Sequence, residues 1–471
     1  MNWNQLLSTK RVKALWGEKS STISEGDPRS EFDRDYGRAV FSTPVRRLQD
    51  KAQVFPLEEH DAVRTRLTHS LEVSSVARSL GEAAERQALK REGTGFTKAG
   101  CIPTIAATCG LIHDLGNPPF GHAGELAIAD WFQKREHANP GLFSDFDPKD
   151  GKTKAPDTQF AKDFLNFEGN AQTQRLLSRL QVLADDYGLN LTCGTLSASC
   201  KYVAASDSID TSVQAKKKHG YFASENDLIS RLRSEVGTGD ARNPITFLVE
   251  AADDIVYSTV DLEDGIKKRC ISWDSLEEEL RKRCGSECLN RSLSKAKEKI
   301  DPAGLKGQTR DEAMAVGFRT FAITEMVVAT IKVLEAEYDS LMMGAYTHEI
   351  LYKSDAASLA TACKSIALEH VYVSPEVLRR EIMGREIIFD LLDLYWDAAQ
   401  AVGPDKKAKG FNKKVYSQIS SNYRQIFERN MAKSEQLAIP VQYFRMQLIT
   451  DQISGMTDSF AVNLHRELKN G

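Results

Sequence analysis

Residues 110–125 contain side chains suited to chemistry, because a His-Asp pair there is followed by a second histidine and a glutamate. His113 and Asp114 end an apolar run, and neither an imidazole nor a carboxylate is buried cheaply without a partner. A divalent metal accepts both groups as ligands. Glycines and prolines at 116, 118, 119 and 121 predict a rigid turn that brings His122 and Glu125 back toward the first pair. The alternative is a capped helix end with a hydrogen-bonded core histidine.

Two other helical segments offer further ligand-type residues. His69 heads an apolar stripe at helical spacing, and Asp253 lies mid-helix among apolar residues, where an unpaired carboxylate is costly. Two imidazoles and two carboxylates suit Mn²⁺, Fe²⁺, Co²⁺ or Mg²⁺, and a set without cysteine argues against structural zinc. For Asp253 alone, a salt bridge to Arg64 or Arg66 is the competing interpretation.

The composition is that of an ordinary globular chain of 471 residues, 41% hydrophobic and 27% charged, with a formal net charge of −4. This acidic balance gives no global attraction to nucleic acid or membrane, so any phosphate-binding cations must be local. The eight cysteines form no Cys-x-x-Cys pair and indicate reduced thiols in a cytoplasmic protein. We expect no signal peptide, transmembrane segment or membrane partner.

Helical periodicity dominates the chain and predicts an all-α protein, with room for one small β-hairpin near residues 189–192. Pro244 is placed to start the helix that carries Asp253, and residues 375–396 form another long helical segment. Residues 139–158 predict an exposed mobile loop, and the basic run at 216–219 predicts solvated surface. Cations at 46, 47 and 51 could hold an anionic ligand or form a solvated helix face.

Several motifs together resemble the HD-domain phosphohydrolases, and more closely the long-form bacterial deoxyguanosinetriphosphate triphosphohydrolases. The motifs are Arg66-Leu67-Thr68-His69-Ser70-Leu71-Glu72, His113-Asp114-Leu115-Gly116-Asn117-Pro118-Pro119-Phe120-Gly121-His122-Ala123-Gly124-Glu125, Phe167-Glu168-Gly169-Asn170-Ala171-Gln172 and Ala252-Asp253-Asp254-Ile255-Val256-Tyr257-Ser258. The resemblance begins near Arg46-Arg47-Leu48-Gln49-Asp50-Lys51 and reaches Gly455-Met456-Thr457-Asp458, so it covers most of the chain.

The resemblance implies a role for each matching residue. The implied metal ligands are His69, His113, Asp114 and Asp253, the implied catalytic groups are His122 and Glu125, and the implied substrate contacts are Gln53, Lys201, Tyr202, Tyr257, Asp261 and Arg445. Many family members have histidine at the position of Asn117, and asparagine cannot shuttle a proton at neutral pH. The acid–base work is therefore expected to fall on His122.

The resemblance also implies three functional segments: an N-terminal nucleotide-contacting segment (1–60), an HD metal-dependent core (61–270), and a helical region that completes the pocket and forms the oligomer interface (271–471). The expected reaction is divalent-metal-dependent hydrolysis of dGTP, or other dNTPs, to deoxynucleoside and tripolyphosphate, with Mn²⁺ or Mg²⁺ as the expected metal and Fe²⁺ or Co²⁺ as alternatives. A homo-oligomer, expected to be a hexamer, and a single-stranded DNA effector are further implications.

Two other functional classes stay open at this point. One is another HD-type phosphodiesterase or nucleotidase, and the other is a nucleotide- or single-stranded-DNA-binding regulator that keeps the metal site as scaffold. Within the main hypothesis, Tyr257 and Asp261 follow Asp253 at i+4 and i+8 on one helix face. Tyr257 would crowd the sugar 2′ position and Asp261 would accept a hydrogen bond from the 3′-OH; otherwise Tyr257 is a core aromatic and Asp261 caps or solvates the helix end.

Overall fold

The computed structural model describes residues 1–20, 26–138, 141–146, 154–181, 186–404 and 406–469, and all regular secondary structure within these ranges is helical. The first half contains α1 (Trp3–Leu6), α2 (Glu31–Val40), α3 (Thr43–Arg47), α4 (Arg66–Glu92), α5 (Cys101–Ile112), α6 (Gly121–Ala138), α7 (Gln159–Leu165), α8 (Gly169–Arg175), α9 (Cys193–Ala198), α10 (Asn226–Val236) and α11 (Pro244–Lys267). The second half contains α12 (Trp273–Arg283), α13 (Glu287–Ile300), α14 (Gly307–Ala336), α15 (Tyr338–Met343), α16 (Ala357–His370), α17 (Pro375–Gln400), α18 (Gly410–Gln418), α19 (Ser421–Ala432), α20 (Ser434–Leu437), α21 (Val441–Ser454) and α22 (Asp458–Lys469).

The all-α prediction is confirmed, and the described ranges contain no β-strand. The small hairpin near residues 189–192 is not found there. Thr192 makes only an isolated antiparallel bridge to Arg11, and its side chain accepts a hydrogen bond from the Thr195 N–H as the cap of α9. The chain therefore enters a helix where a second strand would have begun.

Two helix starts were correctly predicted, the first of them from proline. α11 begins at Pro244 behind an Asn243 cap, and α17 begins at Pro375. The exposed-loop prediction for 139–158 is wrong for Phe143 and Phe146, which are buried in the core, while residues 139–140 and 147–153 lie outside the described residues.

Two hydrophobic cores meet at α5. The first core takes in most of α4, α11 and the helices between 273 and 377, and the second takes in α6 to α10 and the helices from 387 onward. Residues 102–109 of α5 belong to the first core, whereas Leu111, Ile112 and Leu115 belong to the second. Both cores contain residues from 1–60, 61–270 and 271–471, so the three predicted segments pack together. The separate functional role of each segment stays a prediction.

Among the described helices, α14 is long and apolar enough to cross a membrane by length and composition, although 44% of its most apolar 18 residues are buried inside the protein. Met314, Phe318 and Met326 pack into the first core. α14 is thus a core helix with one face left uncovered.

Candidate active site

Three of the four predicted metal ligands converge at the junction of the two cores. One ligand atom each from His69 on α4, His113 at the end of α5 and Asp253 on α11 lie within 4.8 Å of one another. The Nε2 atom of His69 lies 3.2 Å from Asp253 Oδ1, and the Nε2 atom of His113 lies 3.5 Å from the same oxygen. The three helices therefore present two imidazoles and a carboxylate to one point.

Close packing of α4 on α5 brings the two histidines together. A side chain at Gly81 would meet Pro103 Cα at 2.8 Å, and one at Gly110 would meet Ser74 Cα at 2.8 Å. Because neither glycine has a Cβ, the two backbones approach closely, and the His69 and His113 rings end 5.5 Å apart between centroids. A hydrogen-bonded cap at Thr65 fixes where α4 begins, and His69 follows one turn later.

The electrostatics of this cluster fit a bound cation. His113 Nδ1 lies 2.7 Å from the Gly110 carbonyl oxygen and donates to it, so its Nε2 faces Asp253 with no hydrogen-bond partner. Burial opposes the charged imidazole, yet the carboxylates of Asp114 and Asp253 raise the pKa of His113 to about 9. Burial likewise opposes the Asp253 carboxylate, but His113, His69 and Lys201 hold its pKa well below the usual range. A buried imidazole nitrogen without a partner beside an ionised carboxylate is a donor set that Mn²⁺, Fe²⁺ or Co²⁺ accepts.

Asp114 lies at the edge of this cluster. Its Oδ2 atom is 3.6 Å from His113 Nε2, but the same oxygen accepts a hydrogen bond from the Arg66 guanidinium. The structure therefore pairs Asp114 with Arg66, and its role as a fourth ligand stays a prediction.

The competing salt bridge for Asp253 does not form with either arginine. Arg64 pairs with Glu72, Glu263 and Asp264 instead. The nearby cation is Lys201, whose Nζ lies 3.5 Å from Asp253 Oδ2.

The second candidate pair sits on a turn at the start of α6. Phe120 (φ 64°) and Gly121 (φ 59°) both occupy the left-handed region, which costs a non-glycine residue roughly 1–2 kcal/mol. A Cβ at Gly121 would come within 2.7 Å of the Arg66 guanidinium, so any larger residue at this left-handed position would also displace the arginine side chain. Arg66 thereby lies between this turn and Asp114.

The turn places His122 on the surface and Glu125 inside. The His122 side chain is 85% exposed and that of Glu125 is 7% exposed, and His122 Nδ1 lies 2.6 Å from Glu125 Oε2. The hydrogen bond to Glu125 raises the pKa of His122. Glu125 Oε1 accepts a hydrogen bond from the Gly169 N–H at 2.8 Å. The Phe167–Gln172 motif therefore contains the N-terminus of α8, which holds the Glu125 carboxylate.

A cavity of about 630 Å³ opens beside His122 and Glu125. Lys218 lines it and pairs with Glu168 at 2.6 Å, and His219 is 1% exposed. Burial lowers the pKa of His219 to about 4, so this imidazole is neutral. The prediction that the basic run at 216–219 is solvated surface is wrong for His219, which is buried against the ring of Phe222, whereas the Lys218 side chain stays 40% exposed.

The residues proposed to meet the sugar continue along α11. Asp261 is 2% exposed and mid-helix, so it neither caps nor solvates a helix end. Its Oδ2 accepts a hydrogen bond from the Tyr372 hydroxyl, and its Oδ1 has no hydrogen-bond partner. Burial raises the pKa of Asp261 to about 7. The Tyr257 hydroxyl lies 3.5 Å from that of Tyr352.

The other predicted substrate contacts divide into two groups. Tyr202 is buried next to Lys201, and Gln53 lies in the loop bridged to the start of α4 through Ala52 and Thr65, with its amide oxygen buried and unpartnered. Arg445, by contrast, donates to the Val402 carbonyl oxygen and to Gln442, and the structure does not bring it to the metal cluster.

Sequence reasoning gave no site role to Arg66, Lys218, Tyr352 and Tyr372. Arg66 could have been identified from the sequence, because it lies three residues before His69 on the same helical face. Tyr352 and Tyr372 could not, since they lie 95 and 111 residues away in sequence from their partners on α11, Tyr257 and Asp261.

Residues 66–150 match the family model described as HD domain. The chain is 36% identical to a deoxyguanosinetriphosphate triphosphohydrolase-like protein of Listeria innocua, with 99% of each chain covered. It is 32% identical to the deoxyguanosinetriphosphate triphosphohydrolase of Serratia proteamaculans over 93% of each chain. It is also 32% identical to a deoxyguanosinetriphosphate triphosphohydrolase-like protein of Synechocystis, which covers 100% of this chain and 99% of the relative.

Proposed function

This chain belongs to the deoxyguanosinetriphosphate triphosphohydrolase family, and we propose that it hydrolyses dGTP, and other dNTPs, to the deoxynucleoside and inorganic tripolyphosphate. The observation that carries this proposal is the convergence of His69, His113 and Asp253 on one point, with the His122–Glu125 pair next to them across Arg66. The proposed cofactor is one divalent cation, Mn²⁺ or Mg²⁺, with Fe²⁺ or Co²⁺ as alternatives.

His69, His113 and Asp253, with Asp114 as the proposed fourth ligand, would hold the cation. When bound there, it would polarise a phosphoryl oxygen and lower the pKa of the attacking water. The side chains of the protein supply the remaining catalytic interactions. Arg66 and Lys201 bring positive charge to the α-phosphate, where negative charge builds up in the transition state. Water forms the new bond to the α-phosphorus, and the bond from phosphorus to O5′ breaks.

His122 is suited to protonate the departing O5′. Glu125 accepts a hydrogen bond from His122 Nδ1–H and thereby favours the imidazolium form, which leaves Nε2–H as the acid. Because Glu125 is itself held by the Gly169 N–H, the imidazole has a fixed support. Asn117 cannot take over this proton transfer, so His122 carries it alone.

The sugar contacts are proposed from α11 and the N-terminal loop. The Asp261 oxygen without a partner can accept the 3′-OH, Tyr257 can exclude a 2′-hydroxyl, and the unpartnered Gln53 amide can meet the nucleoside. Tyr202 and Arg445 remain proposed contacts, the latter with no direct support from its position.

A homo-oligomer, with the hexamer as the expected state, is supported by the uncovered face of α14. Val316 and Val328 are exposed on this face, and Thr320 and Thr324 between them donate to carbonyls of their own helix. A stripe without charge is costly to leave in water. We also propose single-stranded DNA as an effector. A cytoplasmic location is proposed as well, and the eight free cysteines support it.

Incubation of the purified protein with each dNTP and each ribonucleotide, with Mn²⁺ or Mg²⁺ and with a chelator, tests this function. We expect deoxyguanosine and intact tripolyphosphate from dGTP, and no turnover with chelator. Pyrophosphate or orthophosphate as first product would favour another HD phosphodiesterase or nucleotidase, and binding of dGTP without turnover would favour a regulator.

A further inference from the structure

Two segments distant from the metal cluster in sequence close on the turn that carries His122. Asp458, the first residue of α22, is 2% exposed and accepts two backbone hydrogen bonds. Its Oδ1 accepts the Phe120 N–H at 2.9 Å and its Oδ2 accepts the Ala52 N–H at 3.0 Å. One carboxylate therefore joins the turn 117–120, called the catalytic turn below, to the N-terminal loop and the C-terminal helices.

Lys51 makes a second connection between the same three segments. It is 3% exposed, and its Nζ donates to the carbonyl oxygens of Asn117 at 2.5 Å and Ser454 at 2.8 Å. Lys51 thus holds the first residue of the turn 117–120, and Asp458 holds the last. The alternative roles considered for this lysine, an anion contact or a solvated face, do not match its buried position.

The turn needs such support because of its backbone conformation. Phe120 is a non-glycine residue at φ 64°, and such a conformation persists only where the surroundings determine it. Its ring packs against Gly384 of α17, where a Cβ would lie 2.4 Å from the ring, so the side chain is fixed as well. The direction in which α6 leaves this turn determines where His122, its second residue, points.

We propose that Asp458 and Lys51 are positioning residues that set the catalytic turn, and with it the His122–Glu125 pair, relative to the metal ligands. The proposal rests on the function proposed above, because it concerns the same active site. The side-chain hydrogen bonds of Lys51 and Asp458 reach none of His69, His113 and Asp253, whose helices are held by their own packing. Loss of the hydrogen bonds made by Asp458 and Lys51 should therefore impair proton donation and leave metal binding intact.

Asp458→Asn is the sharpest variant. The amide oxygen can still accept one N–H, but the NH₂ group faces the other N–H, so one of the two links is lost at nearly constant volume. We expect kcat for dGTP to fall by about 100-fold, the effect of a small misplacement of a reacting group. KM and the Mn²⁺ dissociation constant should stay within about twofold, because Asp458 hydrogen-bonds to none of the proposed metal ligands.

Lys51→Met gives an independent second variant, and Lys51→Arg tests rescue by a residue that keeps the donors. Ser459→Ala is the matched control, since Ser459 follows Asp458 and donates to Asp50, the neighbour of Lys51, without contacting the turn 117–120. We expect Lys51→Met to behave like Asp458→Asn, Lys51→Arg to recover part of the activity, and Ser459→Ala to match the parent.

Hydrogen exchange measured by mass spectrometry separates this proposal from the proposed function. In Asp458→Asn, exchange should rise in residues 117–125 and stay unchanged in 66–92, whether or not the parent hydrolyses dGTP. Unchanged exchange in 117–125 would overturn the proposal. So would an unchanged kcat in an active parent, or a parallel fall of kcat, Mn²⁺ affinity and melting temperature, which indicates a purely structural role.

Discussion

The proposed metal ligands and the proposed acid–base pair are built in opposite ways. His69 is 0% exposed and stands on a helix whose packing partner approaches through glycines, whereas the His122 side chain is 85% exposed and follows a left-handed turn. The first arrangement depends on contacts between α4, α5 and α11, and the second on residues from both ends of the chain. Metal binding and proton transfer should therefore be separable by mutation.

Asp253→Ala should have the largest effect. It removes the carboxylate that both imidazoles face, so we expect loss of the bound divalent ion and a fall in kcat/KM of at least about 10³-fold, since the metal supplies several kcal/mol of transition-state stabilisation. Metal analysis and dGTP turnover measure the two effects.

Asp254→Asn is the matched control for metal content. Asp254 is the neighbouring carboxyl on the same helix and does not belong to the cluster of His69, His113 and Asp253, so the amide removes a carboxylate without removing a proposed ligand. This variant should retain the ion. Full metal occupancy in both Asp253→Ala and a His113→Ala variant would show that the three residues do not form a metal site.

His122→Ala should sharpen the contrast between the two regions. We expect kcat to fall by about 10²- to 10³-fold, because a general acid contributes that much, while the metal content stays at the parent level. Both quantities come from one preparation by metal analysis and steady-state kinetics. A loss of metal in this variant would mean that the two regions are not independent.

Tyr257→Ala should have a smaller effect, confined to the choice of sugar. The metal should remain, and the ratio of specificity constants for dGTP over GTP should fall by about tenfold or more, because the 2′ position is no longer crowded. Tyr257→Phe keeps the ring and should keep the discrimination. An unchanged ratio in Tyr257→Ala would exclude Tyr257 as the sugar gate.

Glu125→Gln should shift a pH profile. Glu125 raises the pKa of His122, and an acid works only while protonated, so activity is present below that pKa and is lost as the pH rises through it. Removing the carboxylate lowers the pKa, and the basic limb of kcat should move to lower pH. A basic limb at the parent position, measured with the metal held saturating, would show that His122 is not the titrating acid.

The same contrast explains what could be predicted from the sequence. His69, His113 and Asp253 were predictable because each stands in a local motif on a helix with clear periodicity, and Pro244 marked the start of α11. The pairing of Asp114 with Arg66 was not predictable, because it depends on how two helices pack, and the sequence indicated Asp114 only as a metal ligand. The burial of His219 and the contact of Tyr372 with Asp261 were not predictable, because both depend on segments far apart in the chain.

The central claim is that water attacks the α-phosphorus and O5′ leaves, and hydrolysis of dGTP in H₂¹⁸O tests it most directly. Mass spectrometry of the products should find one ¹⁸O in an intact tripolyphosphate and none in deoxyguanosine, because the new bond is to phosphorus. Label in deoxyguanosine, or products consisting of dGMP with pyrophosphate or dGDP with orthophosphate, would contradict the claim.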